Sequence, residues 1–257
     1  MFMKKSLKFF GVILLTAILL VSWEFSQFRY IPVLMYHSVY SYAHPKDRIT
    51  VSVETFNRQM EFLKRNKYNV IPLEELPNFL KRKKIPYKTI AITFDDGYED
   101  NYLYAFPILK NYNIPATIFL IVNYIDEPNH LNRLQIYEMK NCGLIAFGSH
   151  TLNHHNLVSL NDDELKKEIF DSKKILEKKL SSCVKTFAYP YGFFDKRSKG
   201  LVKQAGYILA MAASKTRGWD PSDLFAYKRV RISEKDRNLF VFWFKTTKFY
   251  AFIKRKR

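Results

Sequence analysis

Acidic side chains are the scarce charges in this sequence. Only 24 Asp and Glu stand against 42 Lys and Arg in 257 residues, which leaves a net charge of +18. Such a field favours anionic surroundings, whether nucleic acid, acidic lipid or an acidic cell-surface polymer. The absence of zinc-finger spacing and of any RNP-like motif excludes nucleic acid as the expected partner. Cysteine is nearly absent too. Cys142 and Cys183 cannot build a disulfide framework, and both are expected to be ordinary buried thiols. No internal repeat or low-complexity linker divides the chain, and a hydrophobic content of 47% excludes a disordered one.

One uncharged hydrophobic run stands near the start, Phe9 to Trp23 (FFGVILLTAILLVSW), preceded by Lys4, Lys5 and Lys8. It is short against the roughly 17–25 residues of a bilayer span. No A-x-A site and no lipobox cysteine follows, so an uncleaved signal anchor is expected rather than a cleaved peptide. Lysines before the run keep the amino end inside and export the rest. The expected layout is a basic stub, anchor and linker over 1–29, then one domain over 30–257 with a basic tail, Lys254 to Arg257. The protein would sit in the cell membrane with a single pass and an extracellular domain, or be secreted if the segment is cleaved.

Beyond residue 30, strand-like and helix-like stretches alternate. Strands are expected at Ile31–Tyr36, Thr89–Phe94, Ala116–Val122, Ile145–Gly148, Thr186–Tyr189, Ile208–Ala213 and Lys228–Ile232. Helices are expected at Val53–Arg65, Tyr102–Tyr112, Leu134–Asn141, Asp162–Leu180 and Asp195–Ala205. That order implies a parallel α/β sheet with helical crossovers, open or closed into a barrel. In either form the carboxyl ends of the strands define the active face. Those ends read Tyr36-His37, Asp95-Asp96, Ser149-His150 and Tyr189-Pro190-Tyr191.

Asp95 and Asp96 are like charges at the end of a buried strand, a costly pair unless a cation sits nearby. His150 and His154 offer two imidazoles at i and i+4, a spacing that shares a face on one turn of helix. Two histidines and one aspartate supply three ligands and leave a position open, the pattern of a catalytic zinc site. The same donors also describe a non-haem iron centre. For both aspartates to serve one site the chain must turn, and Gly97 is where a turn is cheap.

TFDDG, SHTLNH and FAYPYG, in this order and at these spacings, resemble the motifs of the polysaccharide deacetylase family, carbohydrate esterase family 4, over roughly residues 31–235. The resemblance implies a distorted (β/α) barrel and metal-dependent removal of acetyl groups from sugars. By match to the motifs, Asp95 is the catalytic base. Asp96, His150 and His154 are the metal ligands, for Zn²⁺ or in its place Co²⁺ or Ni²⁺. The Tyr191 backbone N–H helps to bind the oxyanion, and His155 has no assigned role. Three departures stand out. Ala188 occupies the position where the family commonly carries an arginine that supports the base, and the usual downstream Asp-Trp and carboxy-terminal histidine motifs are missing; Trp219-Asp220, in reverse order, is not matched to the former. A histidine near the start, His37 in PVLMYHSV, resembles instead the circularly permuted subgroup that deacetylates poly-β-1,6-N-acetylglucosamine in biofilm matrices, with His37 as the acid.

The expected function is therefore N-deacetylation of N-acetylglucosamine units in an extracellular polysaccharide, with peptidoglycan as the alternative substrate. A metal-free glycan-binding protein and a basic membrane-surface adaptor are the non-catalytic rivals. Tyr40, Tyr42, Tyr124 and Trp219 are candidates for stacking on sugar rings.

Overall fold

The computed structural model describes residues 2–213 and 220–254, with side chains from residue 14 onward except Ala17. The lysines of the stub, Trp219 and the tail from Arg255 lie outside the described side chains. Helix α1 (Phe2–Gln27) leads into β1 (Val33–Tyr36) and the short strands β2 (Ser38–Tyr40) and β3 (Thr50–Ser52). Then come α2 (Val53–Arg65), β4 (Asn69–Val70), α3 (Leu76–Lys81) and β5 (Thr89–Phe94). The middle alternates α4 (Phe106–Tyr112), β6 (Ala116–Leu120), α5 (Arg133–Asn141), β7 (Ile145–Ser149), α6 (Asp162–Lys166) and α7 (Ser172–Leu180). The last part holds β8 (Thr186–Ala188), α8 (Lys196–Gln204), β9 (Leu209–Ala212), β10 (Tyr227–Lys228), β11 (Val230–Arg231), α9 (Leu239–Lys245) and α10 (Lys248–Lys254).

The main sheet is parallel, in the order β10-β9-β8-β7-β6-β5-β1-β11, with β4 beside the start of β5. β5 is buried along its whole length, as a strand covered on both faces must be. The sheet closes through one stretch of chain. Tyr227 and Lys228 pair with β9, and two residues later Val230 and Arg231 pair with β1. The expected strand at Lys228–Ile232 is thus two short strands on either side of Arg229, because the chain passes there from one sheet edge to the other. The result is the distorted parallel barrel that the resemblance implied.

Crossover helices pack as their periodicity requires. On α2 the buried stripe is Thr55, Phe56, Gln59, Met60 and Leu63, and Ser52 caps the helix by accepting from the Thr55 N–H. Pro107 is tolerated because it falls in the first turn of α4, after a π-helical segment over Asn101–Ala105. The long helix expected at Asp162–Leu180 is interrupted by a second π-helical segment, Lys167–Asp171. β2–β3 and the two carboxy-terminal helices are additions to the expected list. Cys142 and Cys183 form no disulfide, and neither is a buried thiol as expected: Cys142 is half-buried, and Cys183, two residues past the left-handed Ser181, is exposed.

Among the described residues no helix is long and apolar enough to cross a membrane. Much of the Phe9–Trp23 run lies outside the described side chains. The end of α1 rests on the domain: Phe25 meets Phe249 and Phe252 edge-on, and Phe28 meets Phe252.

Candidate functional site

The chemically active side chains gather where β1, β5, β7 and β8 end. They line a cavity of about 190 Å³ that includes His37, Asp95, Asp96, His150, His154, Tyr191, Arg229 and Arg231.

Asp95 continues β5, its N–H bonded to the Tyr36 carbonyl. The chain then turns at Asp96 and Gly97, whose φ values are 70° and 72°. This left-handed pair redirects the second carboxylate, so neighbours in sequence face one cavity. Glycine suits 97, since a side chain there would sit in a left-handed conformation and push Leu120 Cδ2, 2.7 Å from the Cβ position, aside.

Asp96 Oδ1 lies 3.5 Å from His150 Nε2 and 3.5 Å from His154 Nε2. The three ligand atoms all fall within 4.8 Å of one another. His150 Nδ1 donates to the Ala188 carbonyl at 2.7 Å, which fixes the tautomer and leaves the Nε2 lone pair facing Asp96. Burial lowers the pKa of both imidazoles, so both are neutral and able to ligate. Asp96 Oδ1 is buried without a hydrogen-bond partner. Burial, and the neighbouring Asp95 charge, raise the Asp96 pKa despite His150 and Tyr98. An orphaned carboxylate oxygen between two neutral imidazoles is a donor set that fits a divalent cation.

The expected helical turn between His150 and His154 is not formed. The segment is a loop, with Thr151 and His154 at φ 68° and 61°. Glu168, buried in the π-helical segment, holds the loop instead. Its carboxylate accepts from the Leu152 and Asn153 N–H groups and from Asn153 Nδ2. It also pairs with His155 at 3.2 Å. One turn of π-helix puts a carboxylate under the ligand loop, a departure from α-geometry often found at functional sites.

Asp95 differs from its neighbour. Arg229 grips it with both ends of the guanidinium, at 2.5 Å and 2.6 Å, and also reaches Thr93 Oγ1. Burial pushes the Asp95 carboxyl upward, but Arg229, then His150, outweigh it and hold the group well below the usual carboxylate range. Asp95 thus has an arginine partner although position 188, where the resemblance led one to expect an arginine, is alanine. Sequence reading missed Arg229 because it lies 134 residues from Asp95 and sits in no motif. The one available signal was that Arg229 falls inside the stretch Lys228–Ile232, which alternates basic and apolar residues and was read as a strand.

His37 follows β1, with Nε2 4.0 Å from Asp95 Oδ2 and a buried, unpartnered Nδ1. Burial lowers its pKa to about 4 against the pull of Asp95, so the ring is neutral at pH 7. Asn101 Nδ2 donates to the His37 carbonyl at 2.8 Å, and Asp100 accepts from Ser38 Oγ and the Val39 N–H. The later residues of DDGYEDN thus clamp the chain around His37.

Tyr191 has φ 58° and Gly192 φ 76°. A Cβ at Gly192 would overlap Ala213, so only glycine fits. Tyr191 closes one wall, its ring edge-on to His154 with centroids 4.7 Å apart. Of the residues considered for sugar stacking, Tyr40, Tyr42 and Tyr124 are exposed, but none lines this cavity.

Comparison with known proteins agrees with this geometry. The polysaccharide deacetylase family model matches residues 82–210. The poly-β-1,6-N-acetyl-D-glucosamine N-deacetylase of Staphylococcus aureus (strain MRSA252) is 31% identical over 211 residues, which cover 76% of this chain and 73% of that protein. Among solved structures, the Streptococcus pyogenes deacetylase PplD in complex with acetate aligns with TM-score 0.77 at 27% identity, over 85% of this chain and 98% of that one. IcaB from Ammonifex degensii aligns with TM-score 0.73 at 25% identity, over 86% and 98%. The chain belongs to the polysaccharide deacetylase family and is a hydrolase of carbon–nitrogen bonds.

Proposed function

We propose that the protein removes acetyl groups from N-acetylglucosamine units of an extracellular polysaccharide, with Asp96, His150 and His154 holding a divalent metal, zinc foremost. Support comes chiefly from the orphaned Asp96 oxygen set between two neutral imidazoles. The 31% identical staphylococcal N-deacetylase makes poly-β-1,6-N-acetylglucosamine the first polymer to test. The exposed apolar side chains Leu14, Leu15, Ile18, Leu19, Leu20, Val21 and Trp23 on α1, and the amino-terminal lysines, support a membrane tether with the domain outside.

A divalent cation held there supplies Lewis acidity, polarising the acetyl carbonyl and favouring ionisation of water near neutral pH. This chain's residues do the rest. Asp95, ionised at all working pH values, accepts a proton from the attacking water. Because Arg229 makes Asp95 a weak base, the proton does not stay. His37, at about 4, is the more basic group and its Nε2 lies 4.0 Å away. That separation exceeds a hydrogen bond, so the two groups must close around substrate before His37 takes the proton and gives it to the departing nitrogen. The Tyr191 N–H, in a backbone conformation that costs ~1–3 kcal/mol, donates to the oxyanion.

Acetate release from a panel of defined acetylated oligosaccharides, with and without chelator, is the test. Release that is abolished by chelation and restored by zinc, cobalt or nickel is expected. Chelator-insensitive release would overturn the metal reading, and no release from any member would overturn the activity.

A further inference from the structure

We propose that the groove leading out of the metal pocket binds phosphate or carboxylate groups on the polysaccharide, so that the preferred substrate is an acidic glycan. This rests on the deacetylase reading of the pocket and deepens it.

The groove encloses about 870 Å³, and Met35, Tyr191, Ala213, Arg229 and Arg231 line it and the metal pocket alike. A polymer with one acetamide in the pocket therefore lays its neighbouring sugars in the groove. Among the described lining residues there is no Asp or Glu. Two of the cations are already satisfied: Arg229 by Asp95, and Lys245 by Asp236 at 2.8 Å. Arg48, Arg231 and Lys235 form no ion pair among the described residues. Arg48 and Arg231 also repel each other. Arg231 is held below the ordinary arginine range by burial and by the charges of Arg48 and Arg229, with Asp95 opposing.

Uncompensated like charges in a concave, partly desolvated site repel each other, and the arrangement becomes favourable when an anion enters. Guanidinium forks match the planar oxygens of carboxylate and phosphate. Tyr191 and Phe193, 59% and 43% exposed at the groove, add aromatic faces for sugar rings. A neutral glycan accounts for the aromatic faces and leaves the cations without a purpose. A glycan that only gains ammonium groups as acetyl groups leave would be repelled. An acidic lipid headgroup offers the same anion chemistry, but the shared opening into the metal pocket favours the polymer.

The test uses the full-length, metal-loaded enzyme and acetylated oligosaccharides of equal length. The neutral arms are β-1,6- and β-1,4-linked N-acetylglucosamine oligomers. The acidic arms are alternating N-acetylglucosamine–N-acetylmuramic acid for carboxylate, and a phosphodiester-bearing oligomer for phosphate. At low salt, kcat/KM on an acidic arm is expected to exceed that on the neutral arms by ~10-fold or more, and the advantage to shrink as salt rises. Arg48→Gln with Lys235→Gln, both surface side chains, should cut the acidic-to-neutral ratio by on the order of 10-fold, chiefly through KM. Equal rates on acidic and neutral arms, or a ratio that the double variant does not move, would overturn the proposal while leaving the deacetylase reading intact. Phosphatidylglycerol vesicles that bind through Arg48 and Lys235, with no preference among glycans, would assign the groove to lipid and overturn it too. Release from no arm would overturn the activity, and the proposal with it.

Discussion

The end of β5 and the seam between β10 and β11 meet in the same cavity, but they are built on opposite principles. At the β5 end, two adjacent carboxylates are separated electrostatically by one left-handed turn. At the seam, Arg229 comes from far along the chain and joins only one of them. Asp95 is saturated by a protein cation, whereas Asp96 is left with an oxygen that nothing in the chain satisfies. The contrast teaches that a pair of neighbouring acids need not share a role. Each is defined by the cation opposite it.

The sharpest way to break the comparison is to remove the ligands on the Asp96 side. Asp96→Asn, His150→Ala and His154→Ala should each lose bound metal and with it all acetate release, while circular dichroism stays native. Stoichiometric metal in the His150→Ala/His154→Ala double variant would contradict the proposed site.

On the other side, Asp95→Asn should keep its metal and lose turnover by ~10²–10⁴-fold. Equal metal contents in Asp95→Asn and Asp96→Asn would erase the division of labour between the two carboxylates.

His37→Ala sharpens the picture further. An amide needs its nitrogen protonated to leave, so amide cleavage should fall by ~10²–10⁴-fold in kcat. An aryl acetate leaves unaided and should suffer far less. Equal loss on both substrates would make His37 a shaping residue instead.

Arg229→Gln strikes at the seam, and its effect is expected to be felt in stability as much as in rate. Breaking a buried pair by removing one partner costs about 3–5 kcal/mol, measurable by denaturant unfolding of the metal-free protein. The sign of the pH dependence follows from the lowered folded-state pKa of Asp95. The pair's contribution is present above the unfolded carboxylate pKa of ~3.9 and lost as pH falls through the folded value. In the variant that acid-side loss should shrink, and the acid limb of the pH–rate profile should move to higher pH.

The smallest effect is expected for Asn101→Ala, which frees the His37 carbonyl at a cost of about 1 kcal/mol. It should lower turnover on the amide more than on the aryl ester. The same modest loss on both would mean that Asn101 supports only the fold.

Much of this was legible in the chain. Thr89–Phe94 and Val53–Arg65 were readable to the residue, because continuous apolar burial and helical periodicity are local properties. His37, Asp95, Asp96 and His150 were nameable because strand ends concentrate polar side chains, and His154 because of its spacing from His150. The ligand loop was misjudged as helical, since i,i+4 spacing cannot reveal that Glu168 will offer its backbone N–H groups a better acceptor.

By itself, then, the sequence determined the alternation of buried strands with amphipathic helices, the polar strand ends and the excess of positive charge. These depend on residue types and on spacings of a few positions. Only the tertiary structure decided that the sheet closes at Arg229, that Arg229 rather than a motif arginine supports Asp95, and that Arg48, Arg231 and Lys235 share one groove. Those outcomes depend on which residues barrel closure brings together across long stretches of chain, and on the desolvation that only a finished cavity imposes.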